Sequence, residues 1–198
     1  MKSLVVLLVS LFTVVTANAT LIDFEDVATS GGRIDLAVST PYSEEGYVLT
    51  STHKHAALLD SAYIGSGFDF IGNDTDWFGF SEYNTVTLTA ASGSTFDFSD
   101  LVLGLNAYAS SSSIDVLITG NLLSGGSLVS SLTNISTATF VDLGWTGLTE
   151  VVFTTSDDVG LDNLNVFATA AAEVSAPGAF AIIALGLVMI GFRKAKNS

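Results

Sequence analysis

The chain contains no cysteine, and only 2 prolines and 2 methionines among 198 residues. Without a thiol there is no disulfide framework, no thiolate zinc site, no cysteine nucleophile and no lipid attachment through an N-terminal cysteine. Positive charge is also scarce: 6 Lys+Arg stand against 20 Asp+Glu, a formal net charge of −14. Such a chain repels polyanions, which excludes nucleic acid as a partner. Yet only 13% of the residues are charged and 48% are hydrophobic, which is too apolar for a disordered acidic chain. Sustained helical periodicity is missing outside the two ends, as is any repeat of solenoid length. The length suits one domain.

The ends differ from the middle. Lys2 precedes an apolar run over residues 4–15, and Ala17-Asn18-Ala19 follows as a small-residue cleavage signal. This is the layout of a secretory signal peptide, residues 1–19, with Thr20 the expected first residue of the exported chain. At the other end residues 179–192 carry no charge and are closed by Arg193, Lys194 and Lys196. At ~1.5 Å per residue a helix there covers about 21 Å of a hydrocarbon core of ~30 Å. A segment that is apolar all round and ends in three cations reads as a transmembrane helix with a stop-transfer tail inside and the domain outside. All 20 acids, but only Arg33 and Lys54 of the cations, lie between the two ends. Residues 20–168 form the expected ectodomain and residues 169–173 a short tether.

Inside the ectodomain the apolar period is two. Val86, Leu88 and Ala90 alternate with Thr85, Thr87 and Thr89, and Ile114, Val116 and Ile118 alternate with Asp115 and Thr119. Further strand-like runs are 21–27, 47–51, 56–59, 94–98, 101–108, 128–132, 137–141, 150–155 and 161–168. Turn signals separate them: Gly31-Gly32, Ser92-Gly93, residues 110–113, Gly120-Asn121, Gly125-Gly126, Gly147 and residues 157–160. Short strands at regular spacing predict an all-β fold, an antiparallel β-sandwich flanked by a signal-peptide helix and a C-terminal transmembrane helix.

Two resemblances add to this reading. Val174, Ser175, Ala176, Pro177 and Gly178, followed by the apolar run and the basic tail, resemble the PEP-CTERM sorting signal, here residues 174–198. The family form has Pro-Glu-Pro at this point, and only Pro177 matches it. The resemblance implies an exosortase-type processing enzyme as partner, a precursor held in the inner membrane by its C-terminal helix, and release to the cell surface or extracellular matrix. Pro177 lacks an N–H and disfavours helix at Ala176, which keeps the cleavage region extended. The body, through Leu21-Ile22-Asp23-Phe24-Glu25-Asp26, Gly104, residues 113–120 and Gly160-Leu161-Asp162-Asn163-Leu164, resembles the jelly-roll domains that precede such tails and are similar in plan to carbohydrate-binding modules. That resemblance implies a first and a last strand lying close together, so that Asp23, Glu25 and Asp162 would hold a structural Ca²⁺. Hard oxygen ligands suit that ion. The Asp-x-Asp-x-Asp-Gly loop of a calcium-binding hand is absent.

Catalytic signatures are thin. His53 and His55 would share one face of a strand, but a zinc site needs a third ligand that the sequence does not identify. Gly-x-Ser-x-Gly is absent, and Gly125-Gly126-Ser127-Leu128-Val129 lacks the final glycine. Asp74 and Asp76 form a carboxylate pair of the kind glycoside hydrolysis needs, yet one such pair is expected by chance among 20 acids. Residues 73–83 are the most polar-aromatic stretch, and Asp74, Asp76, Trp77 and Tyr83 are the candidate glycan-binding set, because sugar sites combine a stacked ring with carboxylate and amide partners. Phe78 and Phe80 are expected in the core, and Trp145 at one end of the sandwich. The reading that follows is a non-enzymatic, exported surface or matrix protein that binds extracellular polysaccharide. The alternatives are a hydrolase using acids on the sandwich, and an ice- or surface-binding protein displaying the Thr85, Thr87, Thr89 ladder.

Overall fold

The computed structural model describes residues 19–25, 32–36, 38, 40–53, 56–60, 75–106 and 109–169. The signal-peptide core, the sorting motif, the apolar run 179–192 and the basic tail lie outside these residues. Among the described residues there is no α-helix, and none is long and apolar enough to cross a membrane. Twelve strands are described: β1 (Ala19–Ile22), β2 (Arg33–Leu36), β3 (Tyr42–Glu44), β4 (Tyr47–Ser51), β5 (Ala56–Leu59), β6 (Trp77–Phe80), β7 (Val86–Ala90), β8 (Phe96–Leu105), β9 (Ile114–Leu122), β10 (Ser127–Ile135), β11 (Thr139–Thr155) and β12 (Val159–Ala168).

Every pairing is antiparallel. One layer runs β2-β5-β6-β12-β8 and ends on the first part of β11; β1 pairs with β12 beyond β6. The other runs β3-β4-β7, the last part of β11, β9 and β10. Strand β11 therefore belongs to both layers. Its register against β8 shifts between Asp142 and Trp145 and again between Trp145 and Leu148. Gly144 and Gly147 sit at those shifts with φ of 59° and 71°, a backbone that side-chain-bearing residues rarely adopt. Two bulges bend the strand and let it turn the corner of a sandwich.

The layers meet through the alternate residues that the period-two pattern marks. From β8, Phe96 and Phe98 are fully buried, and from the opposite layer Val86, Leu88, Val116, Ile118, Val151 and Phe153 join them. Phe98 meets Phe153 edge to face at 6.3 Å and 81°, and Tyr47 meets Phe96 at 5.5 Å and 75°. Both contacts cross the sandwich, the geometry that ring quadrupoles prefer. Gly120-Asn121 is not a turn as expected but lies inside β9. A Cβ at Gly120 would stand 2.7 Å from Cε3 of Trp145, so this glycine makes room for the indole. Trp145 packs, half-buried, on the main core.

The first strand ends sooner than expected. Phe24 adopts φ of 63° and its ring enters the core against Tyr42 and Phe78, at 5.4 and 5.9 Å. Its amide and that of Asp23 donate to the half-buried Glu44 carboxylate at 3.2 and 3.1 Å, which also accepts from the Tyr42 hydroxyl. Burial pushes the Glu44 carboxyl up, and these hydrogen bonds oppose that rise. Asp23 and Glu25 thus stand on a turn past β1, not on a first strand running to residue 27.

Candidate functional site

The outer face of the β6-β12-β8 layer is unusual in its middle. Gly79 pairs with Gly160, and Gly160 pairs on its other side with Gly104, so three adjacent strands carry no side chain in one row. Beside this row Leu59, Ala57 and Trp77 form a small second cluster with Val102 and Ala138 packed on it. Where the row meets β5, a cavity of about 360 Å³ opens, lined among others by Arg33, Gly79, Tyr83, Asn106, Asp157 and Asp158.

Each wall has a local cause. Tyr83 stands on the turn between β6 and β7 with 69% of its surface exposed, an aromatic ring kept in water at the cavity rim. A hydrogen bond with Glu82 pushes its phenol up. Asp157 and Asp158 fill the turn between β11 and β12. Asp157 is buried and fully engaged: Oδ1 accepts from the Asp158 amide at 2.9 Å, and Oδ2 accepts from the Ser110 hydroxyl and the Ser111 amide, both at 2.9 Å. Burial raises its carboxyl, but these donors outweigh that and hold it down at about 2. Its work is to tie the 110–111 loop to the cavity wall. Asp158 is different: half-buried, with a carboxylate that has no hydrogen-bond partner among the described residues, it is pushed up to about 6 by burial and by the charges of Asp157 and Glu82, against the pull of Arg33. Arg33, on β2, already donates through Nε to Asp35 at 2.5 Å.

The sequence-derived candidates are placed unevenly. Tyr83 is on the rim. Trp77 is 2% exposed and lies over its own strand, so its ring is core rather than a stacking platform. Asp76 is also buried, with its amide donating to Glu25 Oε1 at 2.9 Å, and Asp74 lies outside the described residues. His53 is half-buried with its ring 6.4 Å from that of Tyr83, and His55 lies outside the described residues. Arg33, Asn106 and Asp158 carried no local motif. Only the adjacency of two acids after a strand-like run, before Gly160, pointed to the β11–β12 turn.

The acids considered for calcium are linked but do not converge. Asp23 Oδ1 accepts from the Glu25 amide at 3.2 Å. Asp162 is fully buried and accepts from Thr75 Oγ1 at 2.5 Å and from the amide and side chain of Asn163 at 2.7 and 2.9 Å. Thr75 adjoins Asp76, whose amide reaches Glu25, so Glu25 and Asp162 are joined through residues 75–76. Among the described residues no group of three or more histidines and acids gathers in a form that holds a metal ion.

On the opposite outer face the threonine ladder extends sideways. Thr87 pairs with Thr50 and with Val152, Val152 with Thr119, and Thr119 with Val129, giving one row of β-branched residues across five strands.

No family model matches the chain, and no curated protein matches its sequence. Solved structures found by fold comparison include a family 61 carbohydrate-binding module in complex with β-1,4-galactotriose, at 7% identity and a TM-score of 0.35, with 63% of this chain and 90% of that chain covered. Another is a family 22 carbohydrate-binding module joined to a family 10 glycoside hydrolase module, from Clostridium thermocellum endo-1,4-β-D-xylanase 10B, complexed with xylohexaose. It shows 12% identity and a TM-score of 0.40, over 79% of this chain and 29% of that one. A third, a tandem of two family 22 modules from Paenibacillus barcinonensis, shows 9% identity and a TM-score of 0.40, over 84% and 50%.

Proposed function

We propose that the chain is an exported surface or extracellular-matrix protein whose sandwich is a non-catalytic, glycan-binding module, with the saccharide seated in the cavity between Arg33, Tyr83, Asn106 and Asp158. The observation that carries this is the exposed Tyr83 ring at the rim of a cavity whose walls offer both donors and acceptors. A phenol ring covers the apolar face of a sugar, and a few fixed polar groups then read its hydroxyls. The volume lies at the small end of the ~300–1,000 Å³ of ligand clefts, which suits a short stretch of polysaccharide. Glycoside hydrolysis needs two available carboxyl groups; of the three acids lining the cavity, Asp157 has both oxygens committed to the Ser110 and Ser111 donors and the Asp158 amide, and Glu82 is hydrogen-bonded to Tyr83. Export through residues 1–19, tethering by residues 179–192 and trimming at Val174–Pro177 by an exosortase-type enzyme complete the proposal, with a structural Ca²⁺ near Glu25 and Asp162.

The test is retention of the full chain on insoluble xylan, cellulose and chitin, and titration with xylohexaose and β-1,4-galactotriose, beside Tyr83→Ala. Binding that Tyr83→Ala weakens tenfold or more, with no release of reducing ends, is the expected result. Binding unaffected by Tyr83→Ala removes the cavity from the account.

A second reading, adhesion to a flat uncharged surface such as ice, is favoured by the Thr50–Thr87–Val152–Thr119–Val129 row, since strands ~4.8 Å apart present its methyl and hydroxyl groups as a regular array. Inhibition of ice recrystallisation that is lost in Thr87→Lys would establish it.

A further inference from the structure

Among the three acids that line the cavity, Asp158 is the one whose half-buried carboxylate accepts no hydrogen bond from the described residues. Its amide and its carbonyl are used, the first by Asp157 and the second by the Asn106 amide at 3.2 Å. A carboxylate removed from water without a partner costs free energy, and it keeps full acceptor capacity for an incoming ligand. The groups facing it are fixed. Asp157 beside it is held ionised by three donors; Glu82 approaches from the β6–β7 turn and is engaged with Tyr83; Arg33 approaches from β2 and is shared with Asp35. The His53 ring lies 6.4 Å from that of Tyr83, and Asn106 and Ser110 are neutral.

We propose that the Asp158 carboxylate is the acceptor that grips the sugar hydroxyls in this cavity, so that acidification releases the glycan by protonating it. This rests on the glycan-binding reading of the cavity. An ionised carboxyl accepts from two neighbouring hydroxyls at once, with the added strength of a charged acceptor. Protonated, it loses one acceptor and turns a donor towards a ligand that is itself rich in donors. Burial and the neighbouring negative charges place the transition at about pH 6 in the free protein. Hydroxyl donors favour the charged form, so the ligand lowers that value and binding near pH 6 expels a proton. The affinity is then level above 6 and falls by up to about tenfold for each pH unit below 6, until the pH reaches the lower value at which the carboxyl is protonated in the complex as well. The switch lies above the isoelectric point of about 4.1, so the domain keeps its net negative charge throughout.

The experiment is calorimetric titration of the full chain with xylohexaose and with β-1,4-galactotriose, from pH 5 to pH 8, in buffers of differing ionisation enthalpy. The expected result is a roughly tenfold weaker affinity at pH 5 than at pH 6.5 or above, with a proton released on binding near pH 6. Asp158→Asn should bind weakly and with no pH dependence, while His53→Gln should keep the wild-type profile. Proton release in the wild type needs no variant, so a misfolded Asp158→Asn leaves the test intact. Binding with a flat profile, or a profile that Asp158→Asn retains or His53→Gln abolishes, overturns the switch and leaves glycan binding standing. No binding of either sugar at any pH overturns both.

Discussion

The indole of Trp77 lies across the α-carbon of Gly79, two residues further along the same strand, so closely that a Cβ there would stand 2.7 Å from Cζ3 of the ring and 3.0 Å from Cδ1 of Leu59. The contact buries the tryptophan beside the cavity and fills the space above Gly79 with the indole edge and Leu59. Gly79→Val should therefore force the indole aside and fill the cavity floor. Overpacking of this kind costs about 1–3 kcal/mol, readable as a lower denaturation midpoint, and saccharide affinity should fall with it. A variant of wild-type stability and affinity would show that the indole moves freely.

Asp157 should govern stability in acid. Its folded carboxyl titrates at about 2, below the ordinary value of 3.8. Its contribution is thus complete above about pH 4 and is lost as the pH falls through 2. Asp157→Asn keeps one acceptor but cannot accept both Ser110 and Ser111 and the Asp158 amide; a loss of about 2 kcal/mol is expected at pH 7, shrinking towards zero near pH 2. Denaturant unfolding at the two pH values decides the matter, and an equal loss at both would deny Asp157 its charge-dependent role.

Asp158 should act in the opposite sense. Its folded carboxyl titrates at about 6, above the ordinary 3.8, so its ionisation weakens the fold progressively between those values and fully above 6. Asp158→Asn should raise the melting temperature at pH 8 and leave it nearly unchanged at pH 3.5. A destabilised variant at pH 8 would mean that the carboxylate has a favourable partner in the fold.

In the core, Val116 is 1% exposed and faces the opposite layer from β9. Val116→Asp places an unpaired charge there, for a loss of about 3 kcal/mol or more. Far-UV circular dichroism of the wild type should be β-dominated and that of the variant unfolded; a folded variant would contradict the sandwich register.

Calcium has a direct test in thermal shift. An ion bound only by the folded state raises its melting temperature, and millimolar calcium suffices for sites of the strength common in extracellular modules. Asp162→Asn should abolish that rise, and Asp23→Asn, whose carboxylate caps the Glu25 amide, should reduce it less. No shift in the wild type would remove the ion.

The strands that bury one face were plain in the sequence because their apolar residues alternate: β4 has the expected limits and β9 carries the expected core residues, while β5, buried on both faces, showed as a short unbroken apolar run. Runs expected as separate strands are joined, 94–98 with 101–108 in β8 and 137–141 with 150–155 in β11, because a polar residue can sit on the outer face and a positive-φ glycine can bulge a strand without ending it. Strand β6 was hidden by covering: all four of its residues are buried, so no alternation shows, and Trp77 read as a ligand platform. Tyr83 was legible as an aromatic among polar neighbours. Arg33, Asn106 and Asp158 were not, since they come from β2, the end of β8 and the β11–β12 turn, which only the strand pairing brings to one cavity.

The most direct measurement of the central claim is the affinity of the full chain for xylohexaose and β-1,4-galactotriose at pH 7, beside Tyr83→Ala and Thr87→Lys. Tyr83 lines the cavity, whereas Thr87 lies on the outer face of the opposite layer. Tyr83→Ala should bind at least ~10-fold more weakly, a loss of about 1.4 kcal/mol, and Thr87→Lys should bind as the wild type does. Saccharide binding that survives Tyr83→Ala and is lost in Thr87→Lys would contradict the account and move the site to the threonine face.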